Sequence, residues 1–217
     1  MARSRFDSEL DTLHNELIQM GAMCEEVIAL ASQALTGGDT ALAERAVSLD
    51  GEIDRMERTV ESRCLKLLLH QQPVARDLRQ ISAALKMITD MERIGDQAAD
   101  IAEIITFLGG RTVQECGQIR LMAEATIRMV TESIDAFVRQ DLALARTAIG
   151  HDDVVDRYFL EVKAALIAMI AAAPEDGEYA LDLLMIAKYF ERIGDHAVNI
   201  AEWVVFSVTG QHGVAAL

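Results

Sequence analysis

The sequence predicts an all-α protein: six long antiparallel helices in two sets of three, a bundle with an internal duplication. Three observations carry this. The 217 residues include only two prolines, Pro73 and Pro174, and few aromatics, and are instead rich in Ala, Leu, Ile, Met and Glu. These residues lose little rotamer freedom in a helical turn. Apolar residues recur at helical spacing through both halves of the chain. Finally, ERIGDQAADIAE at 92–103 returns as ERIGDHAVNIAE at 191–202, with three of the twelve positions changed.

The elements follow in order. Phe6, Leu10, Leu13, Leu17, Met20, Cys24, Val27 and Ala31 step by four and three in turn, which is a heptad seam. Thr36-Gly-Gly-Asp39 interrupts it, and Asp39 or Thr40 suits the cap of a second helix running to about Leu69. Gln71-Gln72-Pro73 marks a corner, because the residue before proline disfavours the helical region. A third helix runs from about Val74 to Leu108, where Gly109-Gly110 stops it. Ala123, Ile127, Val130, Ile134 and Phe137 repeat the seam in the second half, and Gln140-Asp141 makes a short corner. A fifth helix is expected from there to about Ala172, kinked near Gly150; Ala173–Gly177 turns the chain; a sixth runs from about Glu178 to Val208, followed by a frayed tail. Helices of ~30 residues are ~45 Å long, and short corners make neighbours antiparallel.

Composition narrows the function. A net charge of −15 repels nucleic acid phosphate and anionic lipid and favours cations and basic partners. Cys24, Cys64 and Cys116 are odd in number, without CxxC spacing, and read as reduced thiols of a cytosolic protein. The N-terminal MARSRFDSELD shows no secretory signal, and the longest apolar run, AALIAMIAAA at 164–173, is too short to span a bilayer. Membrane association is expected only through a partner.

Acidic residues carry the chemistry. Glu92 and Asp96 are four apart, as are Glu191 and Asp195; Asp50 and Asp54 form such a pair on the second helix, and Asp152 and Asp156 on the fifth. That spacing puts both carboxylates on one helix face, where like charges cost a few tenths of a kcal/mol. A single pair of this kind is usually a solvated surface. Four pairs, duplicated and placed on neighbouring helices, favour a binding role over a solvated surface. Antiparallel packing sets [DE]xxxD motifs face to face, and converging carboxylates either protonate or take a hard cation. In helix two the acids continue through Glu57 and Glu61, whereas their counterparts are Phe159 and Lys163, so the duplicated part is the first pair alone. Gly95 and Gly194, inside the motifs, imply close backbone approach or room for a ligand. Arg93 and Arg192 are expected to point about 100° away from the acids. His196 replaces Gln97 of the first copy, no ExxH occurs, and the five histidines form no cluster; His196 reads as structural. There is no nucleophile–base arrangement, phosphate loop or dinucleotide fingerprint.

With these residues in place, QQPVARDLRQISAALKMITDMERIGDQAADIA (71–102) and KYFERIGDHAVNIAE (188–202) resemble the two characteristic stretches of the PhoU proteins, and the likeness runs from the first helix to about Val208. The resemblance implies two pseudo-symmetric three-helix bundles, with repeats at residues 1–110 and 111–217. It implies a cytoplasmic, homodimeric regulator that is not an enzyme. Such a protein acts with the phosphate-specific ABC transporter and a PhoR-type sensor histidine kinase to restrain phosphate uptake and the starvation response. It also implies iron or zinc clusters, or another divalent cation, at paired motifs. Carried over, these are Asp50, Asp54, Glu92 and Asp96 in the first half and Asp152, Asp156, Glu191 and Asp195 in the second. Asn199 stands where the first copy has Asp100, so a weaker second site is expected if that position contributes. PVARDLR has no counterpart in the second half, where PEDGEYALD stands instead. The alternative is a metal–carboxylate bundle with a storage or enzymatic role.

Overall fold

The computed structural model describes residues 2–71, 73–113 and 117–211, and these form helices without a strand. Helix α1 spans Ala2–Gly37. Its seam is the one the spacing predicts: Phe6, Leu13, Leu17, Met20, Cys24, Val27 and Ala31 are all buried, and Leu10 packs against them. Gly38 turns the chain at φ +65°, a left-handed conformation that suits glycine. Asp39 then caps α2 (Thr40–Gln71): its Oδ1 accepts from the backbone N–H groups of Ala41 and Leu42 at 2.9 and 3.2 Å. Pro73 precedes α3 (Ala75–Phe107), and Gly109 and Gly110, both at positive φ, end the first half.

Helix α4 spans Gly117–Arg139 and stops at Gln140, which is left-handed at φ 53°. Asp141 caps the next helix through Ala143 and Leu144. The fifth helix is interrupted where the sequence places a kink, beside Gly150: α5 (Leu142–Gly150) and α6 (Asp152–Ala172) are separated by the single residue His151. At the break, His151 Nδ1 lies 2.7 Å from Glu132 Oε2 on α4, just after a glycine that favours helix poorly. A 3-10 turn, Pro174–Asp176, leads to α7 (Gly177–Thr209), ended by left-handed Gly210. The predicted frayed tail beyond Gln211, together with Cys116 and His212, lies outside the described residues.

Helices α1–α3 form one three-helix bundle; α4, the broken α5–α6 rod and α7 form the other. The bundles join through α3 on α7 and α1 on α4, and one apolar cluster runs through both. At the α1–α4 contact, a Cβ on Gly21 would come within 2.8 Å of Ile134. The duplication reaches individual contacts. The buried Cys24 thiol donates to the Met91 carbonyl (3.4 Å), and its counterpart, the Thr126 hydroxyl, donates to the Phe190 carbonyl at the same distance. Cys24 and Cys64 are buried free thiols; burial raises both, Cys64 to about 12, so neither is a ready nucleophile.

Candidate metal centre

Helix α3 crosses α2 closely at Gly95. A Cβ there would lie 2.7 Å from Asp50 Oδ1 and 3.1 Å from Ile53 Cδ1, so only glycine leaves this space. The close approach brings Asp50 and Asp54 of α2 to Asp96 of α3, and one carboxylate oxygen from each lies within 4.8 Å of the others. Among the described residues, no other three acidic, histidine or cysteine groups converge this way. Asp50 Oδ1 is buried and has no hydrogen-bond partner. Burial, then Asp96, Asp54, Glu92 and Asp100, push the Asp50 carboxyl up to about 6. A buried acceptor without a donor, facing two further acids, is a cost that a hard cation relieves. The donors are all oxygen, which fits such an ion and not a soft-ligand site.

Glu92 lies beside this trio without joining it. Its pKa is raised by burial and Asp96, with smaller contributions from Asp54 and Glu57 and an opposing one from Arg93. Arg93 does not point away as the helical angle suggests. It folds back to pair with Asp96 at 2.8 Å and approaches Glu92 at 3.5 Å, while Arg58 pairs with Asp54 at 3.3 Å. The guanidiniums cover the outer oxygens and leave the inner Asp50 oxygen bare. Glu57 was not singled out by the duplicated pattern; only the packing of α2 on α3 shows that its charge reaches Glu92.

In the second half Asp152, Asp156, Glu191 and Asp195 also face one another across α6 and α7, more loosely. A Cβ on Gly194 would meet Val155 at 3.5 Å and Asp152 Oδ1 at 3.7 Å, which is ordinary contact. Asp152 opens α6, whereas Asp50 sits inside α2. Burial first, then Asp156 and Asp195, push Asp152 up to about 6, and Asp195 is raised chiefly by burial and Glu191. Glu191 is held by Lys188.

The structure gives Asn199 a different part from the one its sequence position suggests. Its Nδ2 donates to Asp90 Oδ1 (3.0 Å), the same oxygen that His196 Nδ1 approaches at 2.9 Å. On the pseudo-symmetric side, the Tyr189 hydroxyl and Arg192 face Asp100 and partly offset the burial that raises it. Positions 100, 196 and 199 thus join α3 to α7, and Asn199 binds Asp90 across the halves. Asp100 still reaches Asp50 electrostatically. His14 packs against the Phe137 ring, and His151 holds Glu132. Of the PVARDLR stretch, Arg79 lies against Gly210 at the end of α7, its Nε buried. No helix among the described residues is long and apolar enough to cross a membrane.

Tandem three-helix bundles with an oxygen-donor cluster between their second and third helices define a class of all-α carboxylate protein, distinct from the histidine-containing ferritin-like bundles. Within that class, the chain belongs to the PhoU family: the PhoU domain matches residues 17–105 and again 119–204. The phosphate-specific transport system accessory protein PhoU homolog of Clostridium acetobutylicum is 35% identical over 213 residues, 97% of each chain. The corresponding protein of Pseudomonas aeruginosa is 34% identical over 208 residues, 95% of this chain and 86% of its own. Crystal structures agree. PhoU from Pseudomonas aeruginosa superposes with a TM-score of 0.91 at 34% identity, covering 95% of this chain and all of that one (100%). The phosphate transport system regulatory protein PhoU from Streptococcus pneumoniae gives 0.85 at 26% identity, with 96% and 99% covered. This is a family of accessory regulatory proteins, and the chain is not an enzyme, which removes the enzymatic alternative.

Proposed function

We propose that this chain is an accessory regulator of phosphate transport. It works in the cytoplasm, as a homodimer of two-repeat chains divided near Gly110. It contacts the phosphate-specific ABC transporter and a PhoR-type sensor histidine kinase, and holds down uptake and the starvation response when phosphate is plentiful. The observation that carries this reading is the full-length similarity to accessory proteins of phosphate-specific transport systems. Its acidic surface fits basic partner surfaces and disfavours nucleic acid.

The same reading gives the carboxylates a metal, iron or zinc or another divalent cation. Asp50, Asp54 and Asp96 would hold it, with Glu92 alongside; Asp152, Asp156, Glu191 and Asp195 form the second site. Bound there, the ion supplies positive charge that ties α2 to α3. The chain's own part is to hold the acids together: Gly95 lets the helices close, and Arg58 and Arg93 fix the outer oxygens. A deletion strain carrying a phosphate-regulated alkaline phosphatase reporter tests the function. Reporter activity is expected to rise several-fold in phosphate-rich medium and to fall again on complementation. An unchanged reporter and unchanged uptake would contradict the assignment.

A further inference from the structure

The two acidic sites are copies, but their surroundings are not. Aligning Glu92 with Glu191 and Asp50 with Asp152 sets Thr89 against Lys188, Glu57 against Phe159 and Arg58 against Leu160. In the second half, Lys188 pairs with Glu191 one turn further along α7. Its ammonium also lies 5.6 Å from the centre of the Phe159 ring on α6. An acid and an aromatic face thus hold one cation between the two helices of the site.

The first half is arranged differently. Thr89 brings no charge, and Glu57 adds a further negative charge next to Glu92. Arg58 and Arg93 pair with acids of their own helices, Asp54 on α2 and Asp96 on α3; their side chains are 71% and 53% exposed and that of Lys188 is 46% exposed, so the difference lies in the Phe159 face that Lys188 meets on the facing helix. Neither arginine reaches Asp50 Oδ1, which stays buried without a partner.

We propose that Lys188 is a tethered cation standing in for part of the metal charge in the second site, so that the two halves bind metal unequally. The first site is prepared for a hard divalent ion; the second accepts one only as Lys188 is displaced from Glu191. This rests on the reading of both clusters as metal sites.

The test uses the full chain, stripped of metal and titrated with Mn²⁺, with free ion followed by electron paramagnetic resonance. A parallel arm uses Fe²⁺ under argon with elemental analysis after dialysis. The wild type is expected to show two affinity classes roughly tenfold or more apart, since an ammonium beside a divalent ion is strongly unfavourable even at intermediate dielectric. Lys188→Thr, which copies Thr89, tightens the weaker class by about tenfold, and Thr89→Lys weakens the tighter class by a similar factor. Lys163→Thr, a charge change elsewhere on α6, leaves both classes unchanged. Circular dichroism confirms that each variant is folded. Metal binding by the wild type with a Lys188→Thr isotherm superimposed on it overturns the proposal and leaves the metal reading standing. Equal tightening by Lys163→Thr also overturns it, because net charge alone would then explain the effect. Failure of every folded variant to take up either ion overturns the metal reading, and the proposal with it.

Discussion

Gly95 and Asp50 set the scale at which the candidate site is decided. Glycine within a helix costs about 1 kcal/mol against alanine, and both copies of the motif carry it. The reasons differ. At Gly95 an added methyl meets the Asp50 carboxylate at 2.7 Å and Ile53 at 3.1 Å; at Gly194 its nearest neighbour is 3.5 Å away. Gly95→Ala is therefore expected to destabilise the protein by about 1–2 kcal/mol, overpacking outweighing the gain in helix propensity. Gly194→Ala should be neutral or stabilising by up to about 1 kcal/mol. Urea unfolding of the two variants checks this, and equal effects would mean that the close crossing of α2 and α3 is not as described. Asp50 gives a second outcome. Its folded pKa, about 6, lies above its ordinary value of 3.8, so its contribution favours folding below the ordinary value and is lost as pH rises through about 6. The metal-free protein should therefore melt at a lower temperature at pH 7.5 than at pH 5. Asp50→Asn should flatten that slope and raise Tm at pH 7.5 by roughly 2–4 °C, the shift expected of about 1 kcal/mol in a chain of this size. Asp152, also near 6, contributes in the same direction and keeps part of the slope.

Among the elements, the helices were readable because each carries its own pattern. The α1 seam, the Asp39 cap, the Pro73 corner and the glycine stop after α3 are local signals, and the structure uses each of them. The break at His151 was legible in part: Gly150 marks a kink there, but the contact of His151 with Glu132 on another helix has no local signal. The same limit applied to the acids. Their spacing placed each pair on one face, but only the crossing of α2 and α3 shows that Asp96 joins Asp50 and Asp54 while Glu92 stands beside them. The backward fold of Arg93 onto Asp96 follows from side-chain length and rotamer, which a helical angle alone does not contain. His151→Ala is expected to cost about 1–2 kcal/mol, because it leaves half-buried Glu132 without its partner. Its circular dichroism should stay helical, since the break interrupts one residue of a long rod.

At the scale of the whole molecule, the two bundles meet along α3 and α7 in a pseudo-twofold arrangement. Asp90 of α3 holds His196 and Asn199 of α7; on the other side, Tyr189 and Arg192 of α7 face Asp100 of α3. Of the three positions that differ between the two copies of the motif, the pair 100 and 199 lies where the copies touch, and so does His196. Copies related by a pseudo-twofold can pack through identical residues, so these differences adapt the contact without being required by it, and a single sequence does not show which differences do so. Asp90→Ala should lower Tm by roughly 2–4 °C per kcal/mol lost, with His196 and Asn199 left without their acceptor. The proposed metal centre of the α2–α3 carboxylates is the feature on which this reading of the molecule depends most. Elemental analysis of protein purified without a metal-affinity column tests it most directly. Bound iron, zinc or another divalent ion is expected in the wild type, with most of it lost in Asp50→Asn/Asp96→Asn while the helical signal is unchanged. Equal metal content in wild type and variant, or none in either, would contradict it.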